Sequence, residues 1–177
     1  MILTETELSG AWVIEPERLS DERGFFARTF DADLFAAHGL CTYFPQCSVS
    51  FNARAGTLRG MHWQAAPHGE AKLIRCTMGA IHDVLLDFRP ESPSFLHWIA
   101  VELSAENRRM LYAPEGVAHG FQTLAGKSEV FYQISAEYHP ASVRGVRWDD
   151  PAFGIRWPPA DQRTIAERDR GFPDFVP

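Results

Sequence analysis

The sequence is poor in cysteine: Cys41, Cys47 and Cys76 are its three thiols, and none sits in a Cys-x-x-Cys pair. An odd number without that spacing speaks against a disulfide framework and a zinc knuckle, which leaves buried reduced thiols as the simpler expectation. Long apolar stretches are missing too. No run approaches the ~18 residues that would cross a bilayer as a helix. The start, Met1-Ile-Leu-Thr-Glu5, has neither the basic stretch nor the apolar core of a secretion signal. A cytoplasmic protein without a membrane partner is expected. Positive charge is also short, with 17 Lys and Arg against 23 Asp and Glu. A net charge of −6 argues against nucleic acid as a partner, because such affinity comes from many cationic contacts to phosphate. An anionic small ligand would need a local cationic pocket.

What is present fits one folded unit. The 177 residues are 45% hydrophobic and 12% aromatic, enough for a single core. Short β-rich runs recur between turn residues from Gly24 to Trp148, with strands expected at Thr57–Gln64, Ala71–Thr77, Ile81–Phe88, Leu96–Leu103, Arg108–Tyr112, His119–Leu124 and Glu129–Ser135. Only 31–38 and 159–170 read as short helices. The pattern is all-β, a sandwich or barrel with the jelly roll and cupin among the options. No repeat, low-complexity tract or linker divides residues 1–177. The Pro-rich segment 151–177 carries Phe153, Trp157, Phe172 and Phe175, too many aromatics for a disordered tail, and is expected to pack over the barrel or a partner subunit.

Gly56-x5-His62 and Pro114-x-Gly116-x-x-His119 have the spacing of the two halves of a cupin, each glycine permitting a tight turn before a strand with an inward histidine. His62-Trp-Gln64 puts an amide where metal-binding cupins have a second histidine, although His62, His68 and His119 would suit zinc or iron. Freed from metal duty, His62 fits acid–base chemistry near neutral pH. Lys72 in Glu70-Ala-Lys-Leu-Ile-Arg-Cys76 shares a strand face with Ile74 and Cys76. A lysine on an apolar face is costly unless it meets a charge or a developing oxyanion. Arg75, on the opposite face, reads as solvated. Tyr132 shares a face with Val130 and Ile134 and, taken alone, is a core tyrosine. Arg59 stands three residues before His62, where strict alternation separates them; Gly60 permits a bulge that turns both inward. Arg59 and Arg23 are candidates for a diphosphate clamp.

With these residues assembled, the sequence resembles the dTDP-4-dehydrorhamnose 3,5-epimerases and their relatives in deoxysugar pathways. The similarity rests on Asp21–Phe26, Gly56-Thr-Leu-Arg-Gly-Met-His62-Trp-Gln64, Lys72–Arg75, Asp83–Asp87, Ser92-Pro93, Pro114-Glu-Gly-Val-Ala-His-Gly-Phe121, Phe131-Tyr132, Tyr138-His-Pro140 and Trp148–Pro151. It implies a cupin-like double-stranded β-helix (jelly roll) with short peripheral helices, a homodimer, and an epimerase that acts on a nucleotide-linked 4-keto-6-deoxyhexose without a metal or cofactor. It further implies His62 as base, Tyr132 as proton donor, Lys72 near the keto oxygen and Asp169 paired with the base. Without the family, Asp83 is an equal candidate for that pairing. Substrate contacts carry over to Arg23, Gln46, Arg59, His119 and Arg168, with Tyr138 stacking on the nucleotide base.

The pattern departs from the rhamnose-pathway members at positions that touch substrate in the family. Gln46–Asn52 is one residue longer than theirs, Ser48 replaces an asparagine, Arg28 stands where they have a glutamate, and Val143 and Arg144 occupy a stretch where they have another. These differences bear on which sugar and nucleotide are accepted. Two rival readings follow from the same residues: a metal cupin built on His62, His68 and His119, and a non-catalytic sugar-nucleotide binding module. The second would keep Arg59 and the aromatic stack but has no need of His62, Lys72 and Tyr132 together.

Overall fold

The computed structural model describes residues 1–176, so Pro177, the end of the expected extension, lies outside the described residues. The strands are β1 (Ile2–Glu5), β2 (Trp12–Glu15), β3 (Leu19–Asp21), β4 (Gly24–Phe26), β5 (Gln46–Asn52), β6 (Thr57–Gln64) and β7 (Lys72–Met78). They continue with β8 (Ala80–Asp87), β9 (Trp98–Ser104), β10 (Met110–Ala113), β11 (Val117–Thr123), β12 (Ser128–Ile134), β13 (Val143–Gly145) and β14 (Thr164–Ile165). The helices are α1 (Ala32–Ala37) and α2 (Glu167–Arg170). Two six-stranded, largely antiparallel sheets, ordered β1-β2-β10-β7-β12-β5 and β13-β6-β11-β8-β9, the latter with β14 added beside β6, face each other. This is the cupin-like jelly roll that the resemblance implied.

Alternation in the strands decides what each sheet presents. Ile74, Cys76, Leu111 and Val130 of the first sheet meet Ile81, Leu85, Leu103, Val117 and Phe121 of the second in the inner core. The outer face of the first sheet is covered by α1, whose fully buried Phe35 packs with Ile14, Leu73, Met110 and Tyr112 and contributes about 2 kcal/mol by burial alone. α1 starts where the Asp31 carboxylate accepts the Leu34 N–H at 3.2 Å and stops before Gly39, held at φ +70°. The outer face of the second sheet is covered by the chain after Val146, with Phe153, Trp157 and Phe175 against Met61, Val84 and Leu86. Gln122 Nε2 to the Pro158 carbonyl (3.0 Å) pins it to the sheet, and Phe175 N–H to Asp150 (2.7 Å) ties the segment to itself.

Some sequence expectations need correction. Only Glu167–Arg170 of segment 159–170 is helical. Thr164 and Ile165 instead extend along β6 in parallel, with Thr164 N–H donating to Gly56 O at 3.1 Å; the open edge of β6 supplies backbone partners that a helix preceded by Pro158-Pro159 would forgo. Strands before Gly24 and at 46–52 exist as well. Of the thiols only Cys76 is buried; Cys47 lies exposed on the edge strand β5. Arg75 is half-buried, with its guanidinium 4.8 Å from the Phe131 ring, rather than simply solvated. Burial, with Arg108 nearby, depresses its pKa from the ordinary value.

Candidate active site

The cleft between the sheets is organised by a bulge in β6. Arg59 pairs with Phe121 and His62 with His119, with a register shift between the two pairs. Gly60 and Met61 therefore oppose Gly120 alone, which brings Arg59 and His62 to the same inner face while Met61 turns into the outer cluster. Gly60 is required here, because its φ is +122° and a Cβ would lie 2.4 Å from the Gly120 Cα. Its N–H donates to Asp169 Oδ2 at 3.2 Å, and the other oxygen of that carboxylate stands 2.7 Å from His62 Nε2.

Asp169 arrives from the far end of the chain because β14 runs along β6 and α2 follows it at once. A carboxylate can only accept, so Nε2 carries the proton that faces it, and in the neutral ring the lone pair is then on Nδ1. Burial pushes the Asp169 carboxyl up, but the hydrogen bond and charge of His62, the Gly60 N–H and the Arg168 charge outweigh it and leave it below its ordinary value. It stays anionic at neutral pH. Phe172, three residues on, sets its ring 6.0 Å from the imidazole. The ring fits because residue 145 has no side chain: a Cβ there would meet Phe172 Cζ at 2.2 Å.

The facing wall is built by β7 and β12. Lys72 points inward with Ile74 and Cys76, and its ammonium lies 2.9 Å from Glu70 Oε1 and 3.4 Å from the His62 carbonyl oxygen. Tyr132 lies in the row of Val130 and borders the core. Burial, the Asp83 carboxylate and Cys76 raise its pKa against the opposing charge of Arg59, so the phenol keeps its proton until a strong base asks for it. His119 meets Tyr132 edge-on at 5.8 Å and pairs with Asp83 at 2.6 Å. Asp83 is therefore the hydrogen-bond partner of His119, and Asp169 that of His62. Spacing left the two equal because 36 and 107 residues separate the paired groups.

Around the cleft, the inward residues of β5 are polar: Gln46, Ser48, Ser50 and Asn52 oppose Ile134, Tyr132, Val130 and Ser128. Asn52 Oδ1 accepts Arg59 Nε at 2.8 Å, and Gln46 Oε1 accepts the Tyr138 N–H at 3.1 Å. The Tyr138 ring is exposed. Arg168 is exposed on α2 and acts on Asp169 through its charge. Arg23 is not brought to His62; it projects from the β3–β4 hairpin, paired with Asp21.

The three histidines of the metal-cupin reading are dispersed among different partners, His62 on Asp169, His119 on Asp83 and His68 stacked on His139 at 3.7 Å. Among the described residues no cluster of three His, Cys, Asp or Glu is arranged to hold a metal. Three contributors went unread in the sequence. Asn52 had a signal, the polar alternation of Gln46, Ser48 and Ser50; so did Glu70, an acid two residues before an inward lysine. Phe172 had none.

Comparison with known proteins agrees with this fold. Residues 5–176 match the family profile described as dTDP-4-dehydrorhamnose 3,5-epimerase. An enzyme of that name from Methanothermobacter thermautotrophicus is 44% identical over 171 residues, covering 95% of this chain and 91% of the relative. The crystal structure of the one from Elizabethkingia anophelis superposes with a TM-score of 0.95 at 34% identity, covering 99% of this chain and 96% of that one. A 3'-monoepimerase from Streptomyces bikiniensis, solved in complex with dTDP-quinovose, superposes with a TM-score of 0.88 at 33% identity, covering 96% and 85%.

Proposed function

The chain belongs to the dTDP-4-dehydrorhamnose 3,5-epimerase family, and we propose that it inverts C3, C5 or both in a dTDP-linked 4-keto-6-deoxyhexose. The observation that carries the mechanism is the hydrogen bond between His62 of β6 and Asp169 of α2, with the Tyr132 phenol on the sheet that faces them. His62 Nδ1 removes a proton alpha to the C4 ketone, and Asp169 stabilises the imidazolium that forms. Charge moves to the ketone oxygen, where the Lys72 ammonium meets it. Such preorganised charge is worth several kcal/mol in a water-poor site. Tyr132 then delivers a proton to the opposite face of the carbon, which inverts it. A second cycle at the other alpha carbon gives the double epimer. No metal or organic cofactor enters these steps.

His119, held by Asp83, and Arg59, held by Asn52, bind the sugar and the diphosphate beside it; Gln46, Tyr138 and Arg168 form the nucleotide rim. Segment 151–176 belongs to the same domain because it delivers Asp169. We also propose a homodimer, supported by the open edge of β5 and its outward Val49 and Phe51, 57% and 52% exposed, an apolar edge that monomers rarely leave uncovered. The β3–β4 hairpin, with Arg23 beside exposed Phe25 and Phe26, then serves the partner's cleft. A proton NMR time course with thymidine diphosphate 4-keto-6-deoxyglucose in heavy water tests the function. Exchange at C3, C5 or both with an inverted product is expected, and relatives of this fold include both 3,5-epimerases and a 3'-monoepimerase. An unchanged spectrum would sink the proposal and favour a binding module.

A further inference from the structure

We infer that Glu70 is a positioning residue for the reaction, one that acts through Lys72 by fixing where its ammonium sits; the inference rests on the enolate-stabilising role proposed for Lys72. Glu70 lies two residues before Lys72, the first residue of β7, and its carboxylate reaches the Lys72 ammonium. The backbone between them is fixed: Ala71 N–H donates to Ser135 Oγ at 2.7 Å and Ala71 O accepts the Ser135 N–H at 3.0 Å. The two side chains are only 10% and 11% exposed and approach to 2.9 Å. A lysine side chain is a flexible four-carbon stem ending in a point charge, which by itself sets no direction. Here one N–H is taken by the Glu70 carboxylate and a second leans on the His62 carbonyl oxygen. An ammonium has three donors, which leaves one N–H, aimed by the other two contacts, for an oxygen in the cleft beside His62.

An ion pair that merely closes the end of the cleft would look the same in a static structure, and a double-mutant cycle separates the two roles. Turnover, KM and thermal unfolding are measured on the full chain for Glu70→Gln, Lys72→Met and the double variant. Losing a hydrogen bond to a charged group corresponds to about tenfold or more. Glu70→Gln should therefore lower kcat about tenfold or more with KM changed less than about threefold, whereas in the Lys72→Met background the same change should alter kcat less than about twofold. Should Glu70→Gln fail to fold, because a buried ammonium loses its counter-charge, Glu70→Asp completes the same cycle with a shorter carboxylate. Equal losses in both backgrounds, or no loss in the background that retains Lys72, overturn the positioning role while leaving Lys72 in place. A Lys72→Met enzyme with near-normal turnover overturns the role of Lys72 itself, and with it this inference.

Discussion

Replacing Asp169 by asparagine removes one negative charge from beneath the proposed base and little else, since the two side chains have nearly the same shape. In the native protein the carboxylate accepts from His62 Nε2 at 2.7 Å and from the Gly60 N–H at 3.2 Å. Asparagine has one accepting oxygen for these two donors. If it serves Gly60, its amide N–H groups face Nε2 and drive the imidazole to the tautomer whose proton sits on Nδ1, the atom that must be free. If it serves His62, the Gly60 N–H is left unpaired within the bulge. Loss of a hydrogen bond to a charged group costs about 1.5–3 kcal/mol, so kcat should fall about 10- to 150-fold. KM should change little, because the charge matters most when the imidazolium forms. The acid limb changes as well. Asp169 is held below its ordinary carboxyl value, so its stabilising contribution is complete above that value and fades as pH falls through the lower folded one; Asp169→Asn should remove this part of the acid sensitivity. The assay is steady-state epimerisation beside thermal melts across acidic pH. A variant that folds normally and turns over within twofold of the native enzyme would refute the dyad.

Lys72→Met should lower kcat far more than substrate affinity, since the ammonium acts on charge that develops during the reaction; a raised KM with native turnover would make it a ground-state contact. Gly145→Ala puts a methyl group where Phe172 Cζ lies 2.2 Å away; the displaced ring should loosen the turn carrying Asp169 and destabilise the fold by about 1–3 kcal/mol, read by melting and kcat together. Asp87 accepts from Arg89, Ser92 and Ser94. Burial pushes its carboxyl up, but these bonds bring it to about 2 from 3.8, worth about 2 kcal/mol above about pH 5 and lost as pH falls toward about 2. Asp87→Asn should flatten that limb of the stability curve and lower stability at neutral pH. Dialysis against a strong chelator should leave activity unchanged, and restoration of lost activity by one divalent metal would contradict the metal-free mechanism.

The inner faces of β7 and β12 were legible in the sequence because period-two alternation puts Lys72 with Ile74 and Tyr132 with Val130, and burial enforces that register. The bulge at Gly60 was legible from one glycine between Arg59 and His62. What alternation does not encode is long-range pairing. β1 and β2 have four residues each, too few for a pattern, and are strands because β2 finds β10 and β1 finds β2. Segment 159–170 carries enough helix formers to imitate a helix, yet the free edge of β6 captures Thr164 and Ile165. Neither alternation nor spacing assigns Asp169 to His62 or Asp83 to His119; the resemblance named Asp169, and the tertiary structure joins both pairs. Arg75 shows the limit of a face argument, since outward from one sheet still means stacked on Phe131.

Following deuterium into the sugar tests the proton-handling account most directly, with His62→Ala and Tyr132→Phe compared with the native enzyme in heavy water. His62→Ala should abolish exchange of the alpha protons. Tyr132→Phe should still exchange them without inverting the carbon, because an enolate deprived of the phenol is reprotonated by the imidazolium from its own face. Normal yields of inverted product from Tyr132→Phe, or undiminished exchange by His62→Ala, would contradict the assignment of acid and base to opposite walls of the cleft.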